Sequence, residues 1–510
     1  MSELLVGLVV LPIVGAVLAS VSSWVHPRSG WPLAAATLAV QTVLALWVTA
    51  LVLGRGRLDH AVGRVPPPFG IEFVADGVST PFVVLVAGVS LALAAYTRVA
   101  GPRSGPFYGL YLLLVAGLTG VCVTADVFTL YVFLEISGLA AYALVARAEG
   151  GPAALAALQY LLLGTVGATF YLLGVGYAYV ATGTLNMADM ATQLPHGSPL
   201  AVAAFAGIGV GLAVKMALFP LHVWQPDAYE HAPWAVSALL SALVSTVAGY
   251  ALLRLTYTVF TVGFLAANPL VDDAILLAGC ASVVAGGALA YRASSVRRVF
   301  AYSSVAQFGL ATVGIGLGTV PALVGAIVQL LGHAVMKGGL FVAAGVVAAR
   351  TGATSVDEYA GVGARTPWAA GSLVVLGLGM VGLPPTVGFV AKWYLAVGAV
   401  EAGSWPALTV VVGSTLLSLS YFGRLLQQLS LGDGEERPGT LPVGDGVGGA
   451  DATGGHGSVS TDGAGDDPAA ISLGMRAVAV GAAVATVVLG VGAVAVASFA
   501  EPTVVSLLEP

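Results

Sequence analysis

Three lysines, one glutamate and one histidine stand inside apolar runs of this 510-residue chain. Lys215 lies in AVKMALFPLHVW, Lys337 in GHAVMKGG and Lys392 in GLPPTVGFVAKWYL, and the other 16 of the 19 basic residues are arginines. Glu135 sits in the middle of DVFTLYVFLEISGLAAYALV, and His333 precedes Lys337 by four residues, which places both on one helix face. The chemistry these types share is proton exchange. Arginine stays protonated under nearly all conditions, whereas a buried lysine can release its proton, and imidazole and carboxylate both titrate. Taken singly, each lysine could snorkel to an interface or pair structurally, and His333 could be a core histidine bonded to a carbonyl. Three lysines together inside apolar runs point to sites that titrate. Asp126, nine residues before Glu135 at the edge of the same run, reads either as a helix cap or as a functional group.

The elements that must position these groups are membrane helices. Hydrophobic residues make up 58% of the chain and charged residues only 9%, against about 25% charged in a soluble domain. The fold class is therefore an all-α polytopic membrane protein. Loops placed at proline, glycine and charge clusters give about fourteen spans, near 3–22, 31–54, 77–97, 107–125, 127–147, 153–182, 200–220, 233–256, 270–290, 298–318, 321–349, 367–397, 405–430 and 474–500. The first run has no basic segment ahead of it and reads as a span, not a cleaved leader. Pro220 breaks the seventh span five residues after Lys215, and Pro384 and Pro385 break the twelfth before Lys392. Such breaks free backbone groups beside a polar site. The lysine precedes the proline in one half and follows it in the other, as in a pair of inverted repeats. The expected organisation is thus a three-helix segment at 1–106, repeats at 107–256 and 270–430, a linker at 432–470 and a last helix at 474–500.

The linker carries eight acidic residues and one arginine among many glycines, the composition of a solvated segment. Connections after odd-numbered spans hold twelve arginines and those after even-numbered spans four (Arg55, Arg57, Arg64, Arg254). By the positive-inside rule the linker faces the cytoplasm of a cell membrane and both termini lie outside. Cys122 and Cys280 both fall in apolar runs, too few for an iron–sulfur centre or a four-ligand metal site. With no dinucleotide fingerprint and no haem ligand pair, the expectation is no cofactor, no metal and no redox step within this chain.

LYVFLEISGLAAYAL, VKMALFPLHVWQPDAYEHAPWAVSALLS, RRVFAYSSVAQFG, GHAVMKGGLF and GLPPTVGFVAKW together resemble the antiporter-like membrane subunits shared by Mrp-type sodium/proton antiporters, respiratory complex I and membrane-bound hydrogenases, most of all the D subunit of the Mrp antiporters. The likeness runs over roughly residues 70–430. It implies fourteen helices, two inverted five-helix repeats with broken seventh and twelfth helices, and a polar axis at the membrane midplane. Glu135 then corresponds to the fifth-helix glutamate, Lys215 to the seventh-helix lysine it pairs with, His333 and Lys337 to a central relay, and Lys392 to the twelfth-helix lysine. His222 and His231 fall in the loop after the broken helix, more as structural than as functional groups. Many relatives carry a lysine on the eighth helix where this chain has Thr246, with Ser241 and Ser245 nearby, so a relay there would run through hydroxyls and water.

Three functions follow as expectations. The first is a proton-translocating subunit of a multisubunit Mrp-type Na+/H+ antiporter. The second is a proton-pumping subunit of a complex I-like oxidoreductase or membrane-bound hydrogenase, and the third, prompted by Thr246, is a non-conducting scaffold. In each, the partners are other membrane subunits and the lipid bilayer, with no nucleic acid.

Overall fold

In the computed structural model, which describes residues 2–101, 104–431 and 473–509, almost every residue is helical. Among the described residues thirteen helices are long and apolar enough to cross a membrane. A further crossing is made by two shorter helices, Pro367–Val381 and Val387–Glu401, which brings the total to the fourteen expected. The expected linker at 432–470 lies outside the described residues.

All of these helices are apolar, but they are not equally buried. Among the described residues the eighth (Trp234–Ala267), tenth (Val296–Leu317) and eleventh (Val320–Thr351) form the centre, and the first (Leu4–Val25), second (Gly30–Arg55) and fourteenth (Leu473–Leu508) turn large apolar side chains outward. A helix apolar all round can sit in either place. The polar side chains decide it, because an unpartnered polar group is costly against lipid and must point into the bundle. Ser241, Ser245, Thr246, Ser303, Gln307, Gln329, His333 and Lys337 all lie on the three central helices and all are buried.

Connections after even-numbered helices meet one another, through the Phe73–Thr124 and Asp126–Asn186 bridges. Those after odd-numbered helices meet through the Ser295–Ser355 bridge. The connection after the second helix folds into a short hairpin, Leu58–Ala61 antiparallel to Glu72–Ala75, within the expected all-α fold. One correction to the sequence reading arises on the same side. The eighth helix runs on to Ala267 beyond the expected end at 256, so Arg254 is no loop residue: it is buried and bonded at 2.6 Å to Asp76, just ahead of the third helix (Ser79–Ala100). Asp76 is thus a buried carboxylate that the sequence reading did not single out.

The fourteenth helix lies across the break in the twelfth. Its inward stripe is small, with Ala479, Ala483, Thr486, Gly490, Ala493, Ala497 and Ala500 buried at spacings of three and four. A Cβ at Gly490 would come within 2.1 Å of the Pro385 carbonyl oxygen, so only glycine lets the two backbones approach. Gly490→Ala should therefore unseat this helix and lower thermal stability, by about 1–3 kcal/mol for an overpacked contact. Gly492→Ala, where nothing lies within 4 Å, should leave the melting temperature unchanged. Equal stability of the two variants would show that the break is not held by the fourteenth helix.

Candidate functional site

The seventh helix, Pro199–Met216, stops four residues before Pro220. Ala217 takes the left-handed conformation at φ 58° and turns the chain out of the helix, a conformation worth roughly 1–2 kcal/mol of strain for a non-glycine residue. The freed groups are then met from outside: the Trp224 indole donates to the Val214 carbonyl at 2.9 Å, Ser245 Oγ to the Lys215 carbonyl at 3.1 Å, and the Phe219 amide to Ser282 Oγ at 3.0 Å. Arg297 donates to the carbonyls of Glu230 and Ala232 at 2.6 Å and stacks on Trp234, which fixes the segment Trp224–His231 beyond the break.

This places Lys215 in the last turn of its helix, where the carbonyl end favours a cation. Its ammonium donates to Glu135 Oε1 at 2.8 Å and to the Tyr142 hydroxyl at 3.1 Å, both on the fifth helix (Val127–Val145). Two glycines keep this arrangement open. A Cβ at Gly138 would lie 2.8 Å from Lys215 Nζ, and one at Gly164 would lie 1.9 Å from the Tyr142 oxygen. Tyr142 meets Tyr160 edge-on at 4.5 Å, and Tyr160 stacks on Trp224 at 4.0 Å, so rings connect the lysine's partner to the far side of the break. A space of about 10 Å3 beside Lys215, room for roughly one water, lies among the fifth, sixth (Gly151–Thr182) and seventh helices, next to Glu135 and Tyr171.

The eighth helix passes next to this group. It widens into a π-helical turn at Leu240–Val244, a deviation found often at functional sites. Ser241, Ser245 and Thr246 are fully buried there, and the Thr246 hydroxyl has no partner among the described residues. Beyond it, on the eleventh helix, both ring nitrogens of His333 are buried without a well-formed hydrogen bond, and the ring packs at 4.5 Å against Phe308. The backbone of Ser241 stands near the ring but outside good hydrogen-bond geometry, so His333 is not the firmly bonded core histidine that the sequence left open. Lys337, one turn on, donates to the Phe300 carbonyl at 2.5 Å and to Ser303 Oγ, with the Phe300 and Phe422 rings beside it.

Two residues that sequence reasoning did not single out connect the centre to the twelfth helix. Gln329 donates to Gln307 Oε1 at 2.7 Å, and Gln307 to the Met380 carbonyl at 3.3 Å. The Val381 carbonyl, one residue further and at the end of Pro367–Val381, accepts from Lys392 Nζ at 2.9 Å, and Lys392 also reaches Thr415 Oγ1 at 3.3 Å. Gly382 makes the turn at φ 86°, and a Cβ at Gly388 would meet the Gly379 carbonyl oxygen at 2.0 Å. The break is thus made by Gly382 and Gly388 as well as by Pro384 and Pro385. Gln329, His333 and Lys337 are spaced by four on one helix face, a signal that was available in the sequence.

Glu135 is thus paired with Lys215, and Ser245, His333, Lys337 and Lys392 are buried on the helices beyond them, with no direct hydrogen bond among the described residues joining Lys215, His333, Lys337 and Lys392 to one another. Asp126 stands apart as a cap, accepting from the Thr129 amide at 2.6 Å. His222 packs between Phe219 and Tyr302. His231 lies with Asp227 and Glu230, their ligand atoms within 4.8 Å of one another, but both carboxylates are taken by Arg298.

The model of the NADH:quinone oxidoreductase/Mrp antiporter transmembrane family matches residues 124–418, which include every one of the relay candidates. The chain belongs to that family. It is 42% identical over 422 residues to the N subunit of NADH-quinone oxidoreductase from Desulforudis audaxviator, covering 80% of this chain and 82% of that one. It is 29% identical over 411 residues to the D subunit of the Na+/H+ antiporter from Bacillus subtilis, covering 79% and 82%. Among solved structures it is similar to a chain of the Mrp complex from a Dietzia species, with a TM-score of 0.87 and 27% identity over 100% of this chain and 98% of that one. It is a polytopic, antiporter-like membrane subunit, and its relatives are parts of multisubunit assemblies.

Tyr142 supplies the second of two side-chain contacts to the Lys215 ammonium. Tyr142→Phe should leave assembly intact, reduce proton transport and displace its pH profile, because hydrogen bonds to charged groups contribute about 1.5–3 kcal/mol. A pH profile identical to wild type would assign Tyr142 to packing alone.

Proposed function

We propose that the chain is the proton-translocating membrane subunit of a complex I-like oxidoreductase, passing protons along Glu135, Lys215, His333, Lys337 and Lys392 with hydroxyls and water between them. The carrying observation is the Lys215–Glu135 pair at 2.8 Å, with His333, Lys337 and Lys392 buried on the helices of the second half. The 42% identity to an oxidoreductase N subunit, against 29% to an antiporter D subunit, supports an oxidoreductase complex over an antiporter. A second reading, a proton-translocating subunit of an Mrp-type Na+/H+ antiporter, is favoured by the likeness to a chain of an Mrp complex over the whole length. Subunits that co-purify with the chain separate the two. Iron–sulfur and quinone-site proteins support the first, and small antiporter subunits the second.

In this reading the segments 107–256 and 270–430 are inverted repeats, each presenting a lysine at a helix break. Thr246, which takes the place of a lysine, hands over through water held by its unpartnered hydroxyl and by Ser241 and Ser245. Asp126, His222 and His231 have supporting roles.

The decisive test uses Lys215. Arginine keeps the charge and the pairing with Glu135 but does not deprotonate. Lys215→Arg should assemble and transport protons in everted vesicles as poorly as Lys215→Ala, and Glu135→Gln should likewise assemble without transport. An arginine variant near wild-type activity would make Lys215 an anchor and not a carrier.

Orientation is the second prediction of this reading. With the buried and paired Arg254 left out, the arginines in the connections and the helix ends beside them stand at twelve on the odd-numbered side against three on the other, so labels on the 432–470 linker should be reached from the cytoplasm of the cell membrane and labels at either terminus from outside. Cytoplasmic labelling of the termini would reverse the assignment.

A further inference from the structure

A cavity of about 920 Å3 opens where the connections after even-numbered helices gather, between the second, eighth and fourteenth helices. Its position is fixed by a tight contact, since a Cβ at Gly77 would meet the Phe499 carbonyl oxygen at 2.7 Å and Thr503 Oγ1 at 2.8 Å. The cavity is therefore a built feature of the bundle and not a gap left by a loosely seated helix.

Asp76 and Arg254 both line it. Arg254 Nη2 bonds to Asp76 Oδ2 at 2.6 Å, and Asp76 Oδ1 accepts from the amides of Val78 at 3.0 Å and Ser79 at 2.9 Å. The carboxylate is thus saturated, but the guanidinium is not. Arg254 is only 9% exposed, and its Nη1 is buried without a partner, as is the hydroxyl oxygen of Thr258 on the same lining. An orphaned buried donor costs about 1–3 kcal/mol, and more on a charged group. The bonding of both groups is unmet by the described residues, and both residues stand on the cavity lining.

The rest of the lining narrows the choice. Arg57 and Arg254 are balanced by Asp76 and Glu509, so the cavity has no net charge with which to concentrate a free anion. Val52, Leu53, Phe499 and Leu507 make apolar walls that a small anion would leave unused. A phosphate diester carrying acyl chains satisfies both parts, its oxygens facing the guanidinium and hydroxyls and its chains lying along the walls. We propose that this cavity holds a phospholipid of the adjoining leaflet, its phosphate on the Arg254 side, and so ties the fourteenth helix to the second and eighth.

The test is a lipid count on the assembled complex, purified in mild detergent and delipidated stepwise, with retained phospholipid measured by quantitative mass spectrometry. Ala495 lines the cavity and is exposed, so Ala495→Trp fills the space without entering the core. It should release one phospholipid per chain and leave proton transport unchanged. Should this variant fail to assemble, Ser498→Phe on the same wall serves, and Asp76→Asn combined with Arg254→Gln should release the same lipid without leaving a bare charge. An unchanged count in assembled cavity-filled complexes, or a wild-type complex retaining no phospholipid that these variants lack, overturns the proposal. So does retention of radiolabelled inorganic phosphate that Ala495→Trp abolishes, which would assign the cavity to the free anion.

Discussion

The ion pair between Lys215 and Glu135, at 2.8 Å, is the interaction on which the arrangement of the first half depends. A lysine at membrane depth is tolerated only with a partner, and the partner must be brought from another helix. Much of the local sequence serves that end. Glycine at 138 and 164 leaves room for the ammonium and for Tyr142, Ala217 ends the helix directly after the lysine, and Trp224 and Ser245 take up the groups the ending leaves behind. The ring stack from Tyr142 through Tyr160 to Trp224 then makes the position of the lysine's second contact depend on how the chain returns after the break.

The second half meets the same constraint differently. Lys337 and Lys392 face carbonyls and hydroxyls, with no carboxylate among their partners in the described residues. Lys392 points at the carbonyl end of one half-helix from its place on the other, so the partial charge of a helix end does there what Glu135 does for Lys215. Positive charge on one of these sites is opposed by positive charge on the next, and in a low-dielectric interior that opposition is felt over longer distances than in water.

Much of this was legible in the sequence, because the bilayer makes single residues conspicuous. Lysines and a lone glutamate in apolar runs, with prolines beside two of them, marked the helices that carry the site and the places where they break. What stayed hidden depended on contacts between helices. Tyr142, Gln307 and Gln329 are ordinary residues for a membrane helix until their partners are known. Arg254 was counted with the loop arginines because it lies close to the expected end of the eighth span, whereas the helix continues to Ala267 and the arginine pairs inside the bundle with Asp76. Proline was over-read at the seventh helix, where the turn comes earlier at Ala217, a left-handed residue with no sequence signature of its own.

The position of His333 shows why the centre of the site cannot be a fixed wire. An imidazole buried with neither nitrogen well bonded is costly, on the order of 1–3 kcal/mol for each group, and the nearby Ser241 backbone is too poorly placed to offset that cost. Thr246, on the eighth helix next to a π-helical turn, has an unbonded hydroxyl as well. Two orphaned polar groups on the central helices thus mark the stretch of the site that the described residues leave unbonded, between the paired Lys215 on one side and the carbonyl-bound Lys337 on the other.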